Sequence, residues 1–204
     1  MSGTNDQSSS TRTTDEQPPD RIPIADPAVG AKEQERVLHA LESGQLADGP
    51  EVRAFEAEFA DYCGADHGVA TSNGTTALHA ALHAAGVEPG DAVVTSPFSF
   101  VASANAIRFA GGEPVFADVL EDTFTLDPDS VERVIRARDG EVDAILAAHL
   151  YGLPAAMDRL REIADDVDAA LVEDAAQAHG AEFNGQRVGS LGDVAAFSFY
   201  PTKN

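Results

Sequence analysis

Lysine is nearly absent from this 204-residue chain, which carries only Lys32 and Lys203. Tryptophan is missing, and Cys63 is the single cysteine, so neither a disulfide nor a cysteine metal site can form within one chain. Cys63 therefore reads as a small buried hydrophobe. No apolar run approaches the roughly 20 residues that span a bilayer, and the first residues lack a charged-then-apolar signal pattern, so a cytoplasmic protein is expected. Basic side chains are scarce, 13 against 35 acidic ones, which leaves a formal net charge of −22. Such a surface repels DNA and anionic membranes and argues against both as partners. Many aspartates with few lysines also fit a protein adapted to high salt, where the Debye length falls to about 3 Å at 1 M and self-repulsion is screened. An ordinary acidic cytosolic protein is the alternative.

The length suits one domain with a sizeable core. Residues 1–21 hold almost no apolar side chains to offset the entropy of ordering them, and are expected to form a disordered polar tail. The folded domain is expected over 22–204. Helical spacing runs from Val29 to Ser43 through Val37, Leu38 and Leu41, and from Glu51 to Tyr62 through Val52, Phe55, Phe59 and Tyr62, with Gly64 as its stop. Strands then alternate with helices. Strands are predicted at His67–Thr71, Val93–Thr95, Pro114–Asp118, Asp143–His149, Ala169–Asp174 and Val194–Phe199. Helices are predicted from the Ser72–Thr76 opening through Ala85, and from Phe100 to Phe109, Asp127 to Arg138 and Pro154 to Asp165. Several of the strands are nearly continuous Ala, Val, Ile and Leu, as expected when helices cover both sheet faces. The pattern predicts an α/β fold, a mostly parallel sheet sandwiched by helices, with ligands beyond the carboxyl ends of the strands.

The chemistry concentrates between Val172 and Asn204. Asp174 and Gln177 stand three positions apart, and Ser198 and Lys203 follow in and behind an apolar run. These are the groups that pyridoxal phosphate needs. Its carbonyl is held as an imine, which requires an amine, and its pyridine nitrogen draws electrons only when protonated, which requires a facing carboxylate. Lys203 and Asp174 fit those two roles, and in a chain with one other lysine a chance placement carries less weight.

Two further pieces point the same way. Asn73-Gly74-Thr75-Thr76 opens a helix with backbone N–H groups and hydroxyls, either an ordinary cap or a seat for a phosphate. Phe100, just past a predicted strand, either packs in the core or stacks on a pyridine ring. The histidines form no metal pattern: His79 and His83 lie one helical turn apart without a third partner. His149 reads as a structural hydrogen-bonding residue or a wall of the pocket, and His179 as a group that orients its neighbours. Glu162, Asp165, Asp166 and Asp168 read as a solvated helix end, and Gly111-Gly112 as a helix stop.

Five segments, in this order, resemble the DegT/DnrJ/StrS sugar aminotransferases of the aspartate aminotransferase architecture. They are Thr71–His79, Phe98–Ala106, His149–Gly152, Glu173–Gly180 and Phe197–Asn204. The resemblance covers about 22–204. It implies that Lys203 bonds the cofactor and later shuttles protons, and that Asp174 pairs with the pyridinium nitrogen while Gln177 lies near the ring hydroxyl. Phe100 would stack on the ring, and Gly74, Thr75 and Ser198 would bind the phosphate. Relatives that dehydrate the sugar carry histidine where Lys203 stands, so lysine favours transamination. The family implies a keto sugar linked to a nucleoside diphosphate as acceptor, glutamate as amino donor, and a homodimer. It also implies a glycine-rich loop and a smaller C-terminal domain after the lysine, so this chain is expected to be the truncated cofactor half. Dehydration, amination of a non-nucleotide keto ring, and a non-catalytic remnant stay open.

Overall fold

The computed structural model describes residues 25–203; the expected tail over 1–21 lies outside the described residues. Two helices come first, α1 (Ala31–Ser43) and α2 (Pro50–Cys63), followed by α3 (Gly74–Ala84), β1 (Ala92–Thr95), α4 (Ala102–Phe109), β2 (Glu113–Phe116), α5 (Pro128–Ala137) and β3 (Ala144–Ala148). A short 3₁₀ turn over Leu150–Gly152 leads to α6 (Met157–Asp166) and β4 (Ala170–Asp174), then to a hairpin of β5 (Glu182–Phe183) and β6 (Gln186–Arg187), and finally β7 (Val194–Ala196).

The main sheet has the order β2-β1-β3-β4-β7, and every pairing in it is parallel. Side-chain alternation divides its residues between two cores. Val94, Ile145 and Leu171 face α5 and α6, where they meet Val131, Leu160 and Ile163. Their neighbours Val93, Leu146 and Val172 face α3 and α4, where they meet Leu78, Leu82 and Ile107. The predicted α/β sandwich is therefore the observed one, and the apolar strand runs have their expected cause.

Local signals account for most element ends. Pro50 starts α2 at the position where its missing N–H costs nothing, and Gly64 ends it in the left-handed region at φ 77°. Asp127 caps α5 by accepting the Asp129 N–H at 3.0 Å. The acidic residues from Glu162 to Asp168 are exposed around the end of α6, as expected.

Several expectations need correction. His67–Thr71 is not a strand: no neighbouring strand supplies a ladder, Val69 is 83% exposed, and the Ala70 N–H instead donates to the buried Glu56 carboxylate at 2.8 Å. The last strand stops at Ala196 rather than Phe199, because Phe197 and Phe199 leave the sheet to pack edge-on against Phe59 of α2. The predicted apolar face of α1 exists, but Val37, Leu38 and Leu41 are exposed, and α1 buries no residue.

Candidate functional site

The loops leaving the carboxyl ends of β1, β3, β4 and β7 meet the amino end of α3 around a cleft of about 410 Å³. All seven residues singled out by the sequence, Gly74, Thr75, Phe100, Asp174, Gln177, Ser198 and Lys203, line this one cleft.

At the start of α3, Asn73 is extended and its Oδ1 accepts the Thr76 N–H at 2.9 Å. The cap consumes that donor, while the N–H groups of Gly74 and Thr75, the first two of the helix, meet no acceptor among the described residues. Cap and anion seat are thus compatible, since a helix start has more donors than one side chain can take. A Cβ on Gly74 would lie 2.9 Å from the Ser198 Cβ, so only glycine lets the chain beyond β7 close on this helix end. Phe100 is 65% exposed at the cleft edge, which excludes the core-packing alternative.

Asp174 ends β4 with 7% of its surface exposed. Burial pushes its carboxyl above the ordinary range. The Ser103 hydroxyl at 2.6 Å, the Ala176 N–H at 3.3 Å and the charge of Lys203 offset part of that rise. Ser103 is its one side-chain hydrogen-bond partner among the described residues. Gln177 accepts the Tyr151 N–H on Oε1 at 2.9 Å, which leaves its NH₂ group as the free donor. Tyr151 holds φ 55°, a left-handed conformation that is uncommon outside glycine.

Behind the cleft wall lies a buried pair that the sequence did not announce. His149 Nδ1 accepts the Ala155 N–H at 3.1 Å, so Nε2 carries the proton donated to Glu173 at 2.9 Å. Glu173 also accepts from Gly189, Leu191 and Gly192. Burial by itself would raise the Glu173 carboxyl, but the hydrogen bonds from His149, Gly189 and Gly192 outweigh it and hold the group below its ordinary value. His149 is therefore both a wall of the cleft and a structural bonding residue.

Both ring nitrogens of His179 are buried and meet no hydrogen-bond partner among the described residues, in contrast to the orienting role expected of it. Its ring packs 5.3 Å from Phe197 and 5.0 Å from Phe199, and burial with the nearby Lys203 charge lowers its pKa. The rings of His79 and His83 lie 4.9 Å apart and tilted by 43°, and among the described residues no group of three or more His, Cys, Asp and Glu is arranged to hold a metal.

A larger open groove, about 940 Å³, lies at the opposite end of the sheet. Two of its carboxylates are already engaged: Asp143 accepts the Ala92 N–H and Asp193 the Leu171 N–H, each at 2.7 Å. Among the described residues, no helix is long and apolar enough to cross a membrane.

The profile of the DegT/DnrJ/EryC1/StrS aminotransferases matches residues 27–204. The chain belongs to this family. Within the DegT/DnrJ/EryC1/StrS group it is 48% identical to a dTDP-3-amino-3,4,6-trideoxy-alpha-D-glucose transaminase of Streptomyces venezuelae, over 82% of this chain and 44% of that protein. It is 41% identical to a GDP-perosamine synthase of Caulobacter vibrioides, over 90% of this chain and 49% of that protein. A Streptococcus pneumoniae protein solved in its pyridoxal-phosphate form shares the fold with a TM-score of 0.83 and 28% identity, over 89% of this chain and 50% of that one. The chain spans about half the length of the curated relatives it matches. Enzymes of this family are pyridoxal-phosphate-dependent aminotransferases.

Proposed function

We propose that the protein is the cofactor-binding half of an aminotransferase that moves an amino group from glutamate to a keto sugar linked to a nucleoside diphosphate. The residues of the cleft fit pyridoxal 5'-phosphate by their chemistry. Two unclaimed N–H donors and the Ser198 hydroxyl suit a phosphate, and an exposed phenyl ring suits a flat heterocycle. A buried carboxylate beside an amine completes the set. The single observation that carries the reading is that Asp174 and Lys203 line the same cleft, with the start of α3 on its wall.

The cofactor, when bound, supplies an aldehyde for the amine and a ring that withdraws electrons from the substrate carbon. The protein's part is to bind, orient and move protons. Gly74, Thr75 and Ser198 hold the phosphate, where a helix start contributes about 0.3–1 kcal/mol beyond the hydrogen bonds themselves. Those contacts act at short range, so they outweigh a diffuse negative surface field that salt cuts off within a Debye length. Asp174 keeps the ring nitrogen protonated through a charge-assisted hydrogen bond worth about 1.5–3 kcal/mol. The free NH₂ of Gln177 donates toward the ring hydroxyl, and Phe100 stacks on the ring face. Lys203 would tether the cofactor through its amine and move a proton at the substrate carbon. The dTDP and GDP sugars named in the relatives support a nucleotide-sugar acceptor. The active unit is proposed to be a homodimer, which light scattering of the purified protein would test.

The near absence of lysine makes the decisive experiment clean. Pyridoxal phosphate added to the protein should give a visible band, and borohydride should fix the label on the peptide carrying Lys203. Label on Lys32 alone, or an unchanged yield in Lys203→Ala, would remove the reading. Labelled glutamate with a panel of dTDP-, GDP- and UDP-linked keto sugars then identifies donor and acceptor.

A further inference from the structure

Asp174 would meet the ring nitrogen, yet its own position is set from 71 residues away, by α4. Ser103 lies one residue inside that helix and is 1% exposed. Its Oγ stands 2.6 Å from Asp174 Oδ2, in the short range that hydroxyl-to-carboxylate bonds occupy. A serine inside a helix ordinarily turns its hydroxyl to solvent or to the carbonyl four residues earlier. Here it reaches the carboxylate instead.

The direction of the hydrogens follows from the chemistry of the groups. An ionised carboxylate only accepts, so Ser103 donates to it. The single Ser103 hydrogen is thereby committed, and its 2.9 Å contact with Ser99 Oγ can only be one in which Ser99 donates. Ser99 lines the cleft one turn earlier, next to Phe100. A directed chain therefore runs from the cleft edge through Ser99 and Ser103 to Asp174, and each donated bond polarises the next. Among the described residues, Asp174 Oδ1 has only the Ala176 N–H at 3.3 Å, so that side of the carboxylate keeps its capacity for a stronger donor.

We propose that Ser103, backed by Ser99, is a positioning residue that fixes the Asp174 carboxylate in one orientation and keeps it ionised for a protonated ring nitrogen. This inference rests on the pyridoxal-phosphate reading of the cleft. It gives the Phe98–Ser103 segment two tasks, since Phe100 bounds the ring face while Ser103 holds the group that meets the ring edge.

The test is a spectroscopic pH titration of the pyridoxal phosphate bound to wild type, Ser103→Ala, Ser103→Thr and Ser99→Ala. A protonated ring nitrogen lowers the pH at which the visible band titrates. Weakening Asp174 should therefore raise that midpoint, by about one unit in Ser103→Ala, the tenfold that loss of a charge-assisted bond produces. Ser103→Thr, which keeps the hydroxyl, should titrate as wild type, and Ser99→Ala should shift in the same direction by less. If Ser103→Ala does not fold, Ser99→Ala decides, because it breaks only the outer link. A wild-type midpoint in every folded variant would overturn the proposal, even if some melted earlier, since that is what a purely structural serine would give. Failure of wild type to take up label at Lys203 would instead overturn the cofactor reading, so the two failures are distinguishable.

Discussion

Replacing Glu173 by glutamine should destabilise the protein by about 2–6 kcal/mol, the cost of leaving two buried donors unpaired. The magnitude follows from the donors around it. The carboxylate is fully buried and accepts from His149 Nε2 at 2.9 Å, Gly189 N at 3.0 Å, Leu191 N at 2.9 Å and Gly192 N at 2.8 Å. Glutamine keeps one oxygen, which can satisfy Leu191 and Gly192. Its NH₂ group then faces the His149 and Gly189 hydrogens, donor against donor. His149 cannot escape by switching tautomer, because Nδ1 already accepts from Ala155. Two orphaned donors at about 1–3 kcal/mol each give that range, centred near ~4 kcal/mol. With a urea slope of about 2 kcal/mol/M, the midpoint followed by far-UV circular dichroism should fall by roughly 2 M. The difference must also depend on pH. The folded Glu173 pKa lies below its unfolded value of about 4.3, so its contribution is fully present above that pH. It is lost as pH falls through the lower folded value, so the two proteins should converge in acid. A midpoint within 0.3 M of wild type at neutral pH, or a gap that widens in acid, would refute the reasoning.

Three further outcomes are expected. Gly74→Ala should weaken pyridoxal phosphate binding at least about tenfold in an absorbance titration, because its Cβ would meet Ser198 at 2.9 Å, and unchanged affinity would remove the seat from the start of α3. Phe100→Ala should leave stability within about 0.5 kcal/mol, since the ring is 65% exposed, while a lost stack costs roughly 2- to 13-fold in cofactor affinity. With a net charge of −22, the thermal midpoint should rise by about 5 °C or more between 0.1 and 2 M KCl, and a flat or falling midpoint would remove the high-salt reading.

The sheet was legible because Val93-Val94, Ile145-Leu146 and Leu171-Val172 are apolar pairs whose members face opposite cores, and a run with no polar side can only be buried on both. The seven cleft residues were legible because they lie at the start of α3 or at and beyond the carboxyl ends of strands, within segments that resemble a known family. Contacts between distant segments were not. Nothing in the spacing of Ser103 and Asp174, or of His149 and Glu173, says that a loop brings them to 2.6 or 2.9 Å. Glu173 reads locally as part of an acidic pair on a strand, although only the fold shows that one carboxylate faces the cleft and the other the loop over 189–192. The β5–β6 hairpin is a different omission. Asn184-Gly185 turns it with φ 53° and 81°, the pair of positive angles those residues favour, but two-residue strands are too short to show alternation.

The extended stretch after β7 carries one consequence for evolution and engineering. Phe197 and Phe199 point the same way, into the rings of α2, and Ser198 between them looks into the cleft. Parity alone decides which side chain goes where. A single-codon deletion or insertion just past Ala196 would therefore do more than change a loop's length: it would exchange a hydroxyl for a benzyl group at the cleft wall and strand a polar residue against the aromatic cluster. Drift at this point is confined to substitution, and grafts between homologues should keep the whole stretch from Val194 to Lys203 as one piece.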